Sequence, residues 1–457
     1  MSHHQPDPNK SVNLTIDGIP VTVPEGTRIL EAAKKVNVNI PTLCEHPDLC
    51  KRALCRICVV EADGRGKLIA ACANDVWEGV SIVTVNQRLL NIRKTIIELI
   101  LANHPQDCLS CIRNKKCELQ SLALSFGFGA SLFENDAEKR QPQIESETIV
   151  RNMDKCVKCG RCVEVCQEVQ TIRAINTSHR SHEYEISTPY KQALKDGTCV
   201  FCGKCAEVCP VGAIYEHDQS AEVRATLNDS SRKIIAQVSP NFAAALNDEL
   251  TLAAGTITTG KLVTAIKLLG FDKVYDAAIA ANAVNSKIVG EIQECKNSGH
   301  ARLPVISGCS AGIANFVKNF YPDLTDHLTA VPLPRRYFAS VIKSGYAKEA
   351  GVELSNITSV SFLPCLAHKY GADDKTDFAI TAGELARMLK LAGIVIETLP
   401  EEPFDPLNID LPKQNNYVKK ETVHGYAQAR KVMEAIREGK CGAEWVEILN
   451  CTGDKCG

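Results

Sequence analysis

The 457-residue sequence predicts a multidomain chain, α+β in its first half and α/β in its second. Three observations carry that prediction. Cysteine is concentrated early: of 22, 16 fall at or before Cys209, and none lies between Cys209 and Cys295. The first half opens on alternating apolar runs, then gives short helical periods between cysteine loops. From about residue 230, apolar runs such as KIIAQV, LPVIS and VSFLP alternate with helical stretches such as TGKLVTAIKLLG and GELARMLKLAG. That order is expected of a parallel sheet with crossover helices.

The length accommodates three or more domains, each with its own core. A net charge of −2 and a pI near 6.6 give no electrostatic hold on nucleic acid or an anionic membrane. No apolar run reaches spanning length, and MSHHQPDPNK has no signal-peptide core, so a soluble cytoplasmic protein is expected. A disulfide scaffold suits short secreted chains, whereas repeated C-x-x-C spacing in this context favours metal binding.

In the opening VNLTIDGIPVTV, Val12, Leu14 and Ile16 alternate, as do Ile19, Val21 and Val23, around Asp17-Gly18. That is a hairpin signal. Thr27 is expected to cap a helix carrying Ile29, Leu30, Ala33 and Val36. Hairpin, helix and cysteine loop together predict a small β-grasp ferredoxin-like domain over residues 1–80. Leu89, Ile92, Ile96, Leu99 and Ile100 then recur at helical spacing behind Asn86, ending before Pro105. This helix opens a small helical domain over 81–120. FENDAEKRQPQIESE reads as a linker. Residues 146–218 form a double-motif cysteine module, and 230–457 the α/β part.

The first ligand set is Cys44, Cys55, Cys58 and Cys72. Four thiolates from loops around a tight Cys55–Cys58 turn suit a [2Fe–2S] cluster. Zinc is the rival, and the β-grasp context favours iron. Cys50 reads as a bystander. The second set is His104, Cys108, Cys111 and Cys117 in HPQDCLSCIRNKKC. A lone histidine at a helix end is ordinarily a cap, but one beside C-x-x-C-x5-C is the better ligand for a [4Fe–4S] cluster. A Cys3His zinc site is the alternative.

The third and fourth sets are the most specific signal. Cys156, Cys159, Cys162 and Cys166 repeat as Cys199, Cys202, Cys205 and Cys209, the last followed by Pro210. Each is C-x2-C-x2-C-x3-C, in which the fourth cysteine serves the other cluster. One [4Fe–4S] is therefore assigned to Cys156, Cys159, Cys162 and Cys209, and the other to Cys199, Cys202, Cys205 and Cys166. Gly255 to Lys261 matches most of a phosphate loop, but Leu262 has no hydroxyl for magnesium. No flavin or nucleotide site is expected.

The ordered series resembles the N-terminal half of the large iron-only hydrogenases and is similar to the matching subunit of respiratory complex I. The resemblance continues through TTGKLVTAIKLLGFDKVYDAAIAAN, ISGCSAGIANF, SVSFLPCLAHKYGAD and VEILNCTGDKCG. It implies a further [4Fe–4S] held by Cys309, Cys365, Cys451 and Cys456, the last pair having four intervening residues where the family has three. It also implies a degenerate, truncated active-site domain. The family's proton-donating thiol falls at Gly308, its subsite lysine at His368 before Lys369, and no carboxylate lies between Asp276 and Glu291. Acid–base work needs a group in place, so no catalytic residue is assigned. Cys295 and Cys441 have no role.

The resemblance thus implies an iron–sulfur subunit of a flavin-based electron-bifurcating NAD(P)H/ferredoxin oxidoreductase. Its expected partners are an NAD(H)-binding flavoprotein subunit, a second flavin subunit binding NADP(H), and ferredoxin. The alternatives are a working [FeFe]-hydrogenase with a minimal pocket and a redox sensor.

Overall fold

The computed structural model describes residues 7, 9–50, 52–63, 67–128, 141–298, 302–371, 377–407 and 417–451. The hairpin forms from Ser11–Ile16 and Ile19–Pro24, paired antiparallel from Ser11 with Pro24 to Ile16 with Ile19. Strand Ser81–Val83 joins the first strand in parallel, and the antiparallel pair Val59–Ala62 and Lys67–Ala70 completes a five-stranded sheet. Val12, Leu14 and Ile16 are buried against Ile29 and Leu30 of helix Ile29–Lys35. Thr27 does not cap that helix; Arg28 is the N-cap and offers no side-chain bond. Its guanidinium is instead committed to the Cys72 carbonyl, at 3.1 Å.

Helix Gln87–Ala102 is capped by Asn86, whose side chain accepts from Leu89 N at 2.8 Å. The buried face differs from the apolar stripe: it is Leu89, Arg93 and Ile97, while Leu99 is exposed. Arg93 turns inward onto carbonyls of the cysteine loop and the strand that follows it. It donates to Ile57 O at 3.2 Å and Val59 O at 2.7 Å. The stretch read as a linker lies outside the described residues up to 140. Its end is structured, with strand Gln143–Ile144 and a buried Glu145 that accepts from Arg151 at 3.0 Å.

In the cysteine module, Ile149–Arg151 is the central strand between Ile214–Glu216 and Gln143–Ile144, all antiparallel. The internal repeat is visible in the backbone. Lys158 and Phe201 have φ of 54° and 50°, and Gly160 and Gly203 follow at 79° and 77°. Each glycine caps a short helix, Arg161–Glu164 or Lys204–Glu207. A side chain at either position would be strained in this left-handed region.

The α/β part contains two parallel sheets. One runs Lys273–Asp276, Lys233–Val238, Ile357–Leu363, Phe378–Thr381; the other runs Val305–Gly308, Trp445–Leu449, Lys420–His424. The buried run VSFLP fits a strand covered on both faces. The second sheet shares one apolar core with the cysteine module: Ile306, Ile313, Phe316 and Ile448 pack in the same cluster as Val200, Phe201 and Cys205.

Candidate iron–sulfur centres

Three loops of the β-grasp part bring Cys44, Cys55, Cys58 and Cys72 together. Hydrogen bonds from the Cys55 and Cys72 thiols hold Cys44 down at about 2, and a bond from Cys72 lowers Cys58 to about 7. The donors, Cys55 and Cys72, are pushed up correspondingly. Sulfurs close enough to share protons are close enough to share a metal, which would take all four as thiolates. Arg93 and Arg28 anchor this frame through Ile57, Val59 and Cys72 carbonyls. Cys50 is exposed.

The next helix delivers His104. Asn103 is its C-cap, and Pro105 turns the chain into the 3-10 turn Cys108–Ser110. The His104 Nδ1 atom is buried without a hydrogen-bond partner. Burial, followed by the nearby Lys155, lowers its pKa to about 4, so the imidazole is neutral with a free lone pair. That is the state a metal ligand requires. Cys117 caps helix Glu118–Ser125 through its sulfur, which accepts from Gln120 N at 3.5 Å. Burial raises this thiol, and Cys111 and Cys108 raise it further. Lys155 links His104 to Cys111, since both interact with it.

In the cysteine module, thiols of the two repeats lie within electrostatic reach of one another. Burial lifts Cys156 to about 11 and Cys159 to about 12, and Cys209 acts on both. Cys162 is buried, and burial raises its thiol well above the ordinary range, with the neighbouring Cys156, Cys159, Cys209 and Cys205 raising it too. In the other frame Cys202 rises to about 12 and Cys199 and Cys205 also rise; each, after burial, feels Cys166. Equivalent amides point at equivalent sulfurs: Lys158 N to Cys156 Sγ and Phe201 N to Cys199 Sγ, each 3.4 Å. Burying several thiolates is unfavourable without cationic metal, so a cluster fits these frames and offsets the desolvation that raises each thiol.

The last set straddles the two parallel sheets. Cys309, Cys365 and Cys451 each follow the carboxyl end of a strand: Val305–Gly308, Ile357–Leu363 and Trp445–Leu449. Ligands in open α/β sheets collect at such ends. Burial raises the Cys309 thiol, and Cys365 and Cys451 raise it further. Cys456 lies outside the described residues. Among those residues no three His, Cys, Asp or Glu close around a point as ligands of a single ion do.

Two positions in this part are structural. A Cβ on Gly308 would lie 2.5 Å from Ile313 Cγ1, so the close strand–helix approach leaves no room for a thiol. Lys369 is fully buried, 2.6 Å from the equally buried Glu384 and 2.5 Å from His217 O. Glu384 also closes the capping box of helix Ala382–Ala392, so Lys369 joins the cysteine module to that helix. Beside the Cys309 loop lies a cavity of about 1310 Å³, lined by Ser307, Gly308, Ser310, Tyr337 and Arg336 among others. Lys261 donates to the Thr256 and Glu397 carbonyls, at 3.3 and 2.8 Å, and Thr258 caps its helix, as a structural loop requires.

Sequence periodicity missed Arg93, the Lys369–Glu384 pair, and Tyr426 with Asn450 behind Cys309. Tyr426 Oη donates to Asn450 Oδ1 at 2.5 Å. Only Glu384 carries a local mark, the Thr381-x-x-Glu384 capping-box pattern, and that pattern says nothing of Lys369.

These features define a multidomain iron–sulfur protein with one 2Fe–2S domain and several 4Fe–4S segments. The 2Fe-2S iron-sulfur cluster binding domain matches residues 9–87, and the NADH-ubiquinone oxidoreductase-G iron-sulfur binding region matches 93–131. The ferredoxin-like domain of NADH-quinone oxidoreductase subunit 3 matches 146–215, and the C-terminal domain of the iron only hydrogenase large subunit matches 232–410.

The chain belongs to the family of iron-only hydrogenase large subunits. It is 35% identical over 413 residues to the NADP-reducing hydrogenase subunit HndD of Solidesulfovibrio fructosivorans, spanning 86% of this chain and 71% of that protein. It is 29% identical to iron hydrogenase 1 of Clostridium pasteurianum, over 86% of this chain and 70% of that one. A 150-residue segment is 37% identical to the alpha subunit of the NADPH-Fe(3+) oxidoreductase of Geobacter sulfurreducens, spanning 32% of this chain and 18% of that protein. No helix among the described residues is long and apolar enough to cross a membrane.

Proposed function

We propose that this chain relays single electrons as the iron–sulfur subunit of a flavin-based electron-bifurcating NAD(P)H/ferredoxin oxidoreductase. One observation carries the reading: ligand-bearing loops touch in series. A Cβ on Gly160, beside Cys159, would lie 2.9 Å from Leu54 Cδ1, beside Cys55. One on Gly212 would lie 3.0 Å from Cys111 Sγ, and one on Gly203 would lie 2.7 Å from Leu366 Cβ, the neighbour of Cys365. The cysteine module therefore meets the β-grasp set, the His104 set and the Cys309 set. Centres held there would be near neighbours, and the protein's part is to fix their order and potentials.

The ligands are His104 and the cysteines assigned above, giving one [2Fe–2S] and four [4Fe–4S] centres, the fourth completed by Cys456. The names of the relatives support NADP-linked chemistry; in this reading, flavoprotein subunits binding NAD(H) and NADP(H) and ferredoxin supply and accept the electrons. The test is anaerobic affinity purification from the native host. An NAD(H)-binding flavoprotein should accompany the chain, and the complex should reduce ferredoxin from one reduced nicotinamide nucleotide only when the oxidised form of the other is supplied as the second acceptor. A chain purified with no flavoprotein, inert towards ferredoxin, contradicts the reading.

The cavity beside Cys309 favours a second reading, a working hydrogenase. It predicts hydrogen-dependent dye reduction and carbon monoxide and cyanide infrared bands, and the Gly308–Ile313 contact opposes it because no proton-donating thiol can stand there.

A further inference from the structure

The frame of Cys199, Cys202, Cys205 and Cys166 meets the frame of Cys309, Cys365 and Cys451 across one side chain. Tyr426 opens helix Gly425–Arg437 and is fully buried. Burial, then the thiols of Cys202, Cys309, Cys199 and Cys365, hold its phenol well above the ordinary range. The ring packs in the same apolar core as Cys199, Cys202 and Cys205. Its Oη donates to Asn450 Oδ1 at 2.5 Å, and because an amide oxygen only accepts, the direction of that bond is fixed.

Asn450 is buried and bonded through its Oδ1, Nδ2 and backbone N–H. Its Nδ2 donates to Ser310 Oγ at 2.6 Å, and its backbone N–H reaches Cys309 Sγ at 3.4 Å. Ser310 follows Cys309 and Asn450 precedes Cys451. The Tyr426 hydroxyl thus orients a residue that touches one sulfur directly and flanks a second cysteine. Hydrogen bonds to cluster sulfur withdraw charge and favour the more negative reduced state. In a dry site such a network counts for more than in water.

We propose that Tyr426 is a positioning residue for the centre at Cys309, Cys365 and Cys451. Its hydroxyl locks Asn450 so that the amide N–H stays aimed at Cys309 Sγ, raising that centre's reduction potential. The redox step is one electron in or out, with no bond broken and no proton moved. The inference rests on the reading that Cys309, Cys365 and Cys451 hold a cluster.

The experiment is a dithionite titration of anaerobic full-length protein followed by electron paramagnetic resonance. The relevant signal is the one that Cys365→Ala removes. Tyr426→Phe keeps the ring, 5.0 Å from Phe316, and deletes only the donor. It should shift that signal to lower potential, so that the reduced fraction at the wild-type midpoint falls several-fold while the other signals hold. Asn450→Ala should lower the same midpoint, and Tyr426→Phe should add nothing in that background. An unmoved midpoint, additive shifts, or outright loss of the signal in Tyr426→Phe overturns the positioning role alone. If Cys365→Ala removes no signal, both the cluster assignment and the inference fall.

Discussion

The cysteine module of residues 146–218 and the α/β part from 230 onward hold their ligands by opposite strategies. The module takes its cysteines from two short turns that repeat the same backbone path, with paired left-handed residues at 158 and 201 and paired glycines at 160 and 203. The α/β part collects Cys309, Cys365 and Cys451 from the ends of strands in two different sheets. A turn fixes its ligands locally, whereas strand ends are fixed only when both sheets are assembled. The module's site should therefore tolerate changes in the surrounding core, and the second site should not.

The largest effect tests the crossing. Cys209→Ala is expected to lose one [4Fe–4S] centre, about four irons per chain. Adding Cys156→Ala should remove no more iron, whereas adding Cys199→Ala should remove about four again. Uncrossed frames would give the reverse pattern under anaerobic iron analysis.

Next comes the buried strut between the two regions. Lys369→Met strands the Glu384 carboxylate, which should cost about 3–5 kcal/mol in chemical denaturation. Burial already raises the Glu384 pKa, and Lys369 opposes that rise. The folded state then binds more protons than the unfolded one, so this group's contribution weakens as pH climbs above the ordinary carboxylate range. Without the lysine the rise is larger, and the deficit of Lys369→Met should grow from pH 5.5 to pH 8. A deficit constant with pH contradicts this account of the pair.

A smaller effect sharpens the interface. Gly203→Val forces a β-branched residue into φ of 77° against Leu366 Cβ at 2.7 Å, expected to cost about 1–3 kcal/mol. Gly160→Val bears similar strain but meets only the movable Cδ1 of Leu54, so it should cost less in the same thermal-shift measurement. The smallest effect is at Cys50, which is exposed. Cys50→Ser should leave iron, sulfide and melting temperature unchanged.

The same contrast explains what could be read from sequence. Hairpin, helix spacing and the C-x2-C-x2-C-x3-C repeats are local, so the opening hairpin, the helix behind Asn86 and the second-half strands Lys233–Val238, Val305–Gly308 and Ile357–Leu363 were legible. Arg93 was not, because it is buried by carbonyls 34 and 36 residues earlier. Thr27 failed as a cap for a similar reason: the helix start is set by backbone bonds to the Cys72 neighbourhood, such as Leu30 N to Ala71 O at 3.0 Å. Tyr426 and Asn450 gain meaning only through Cys309 and Ser310, more than a hundred residues upstream.

The relay itself is tested most directly by iron and acid-labile sulfide analysis of the anaerobic protein, with paramagnetic resonance of the reduced form. Two irons plus four cubanes give about 18 irons with matching sulfide, and interacting signals from adjacent centres. Zinc in place of iron, with no labile sulfide, would contradict the account from its first ligand set onward.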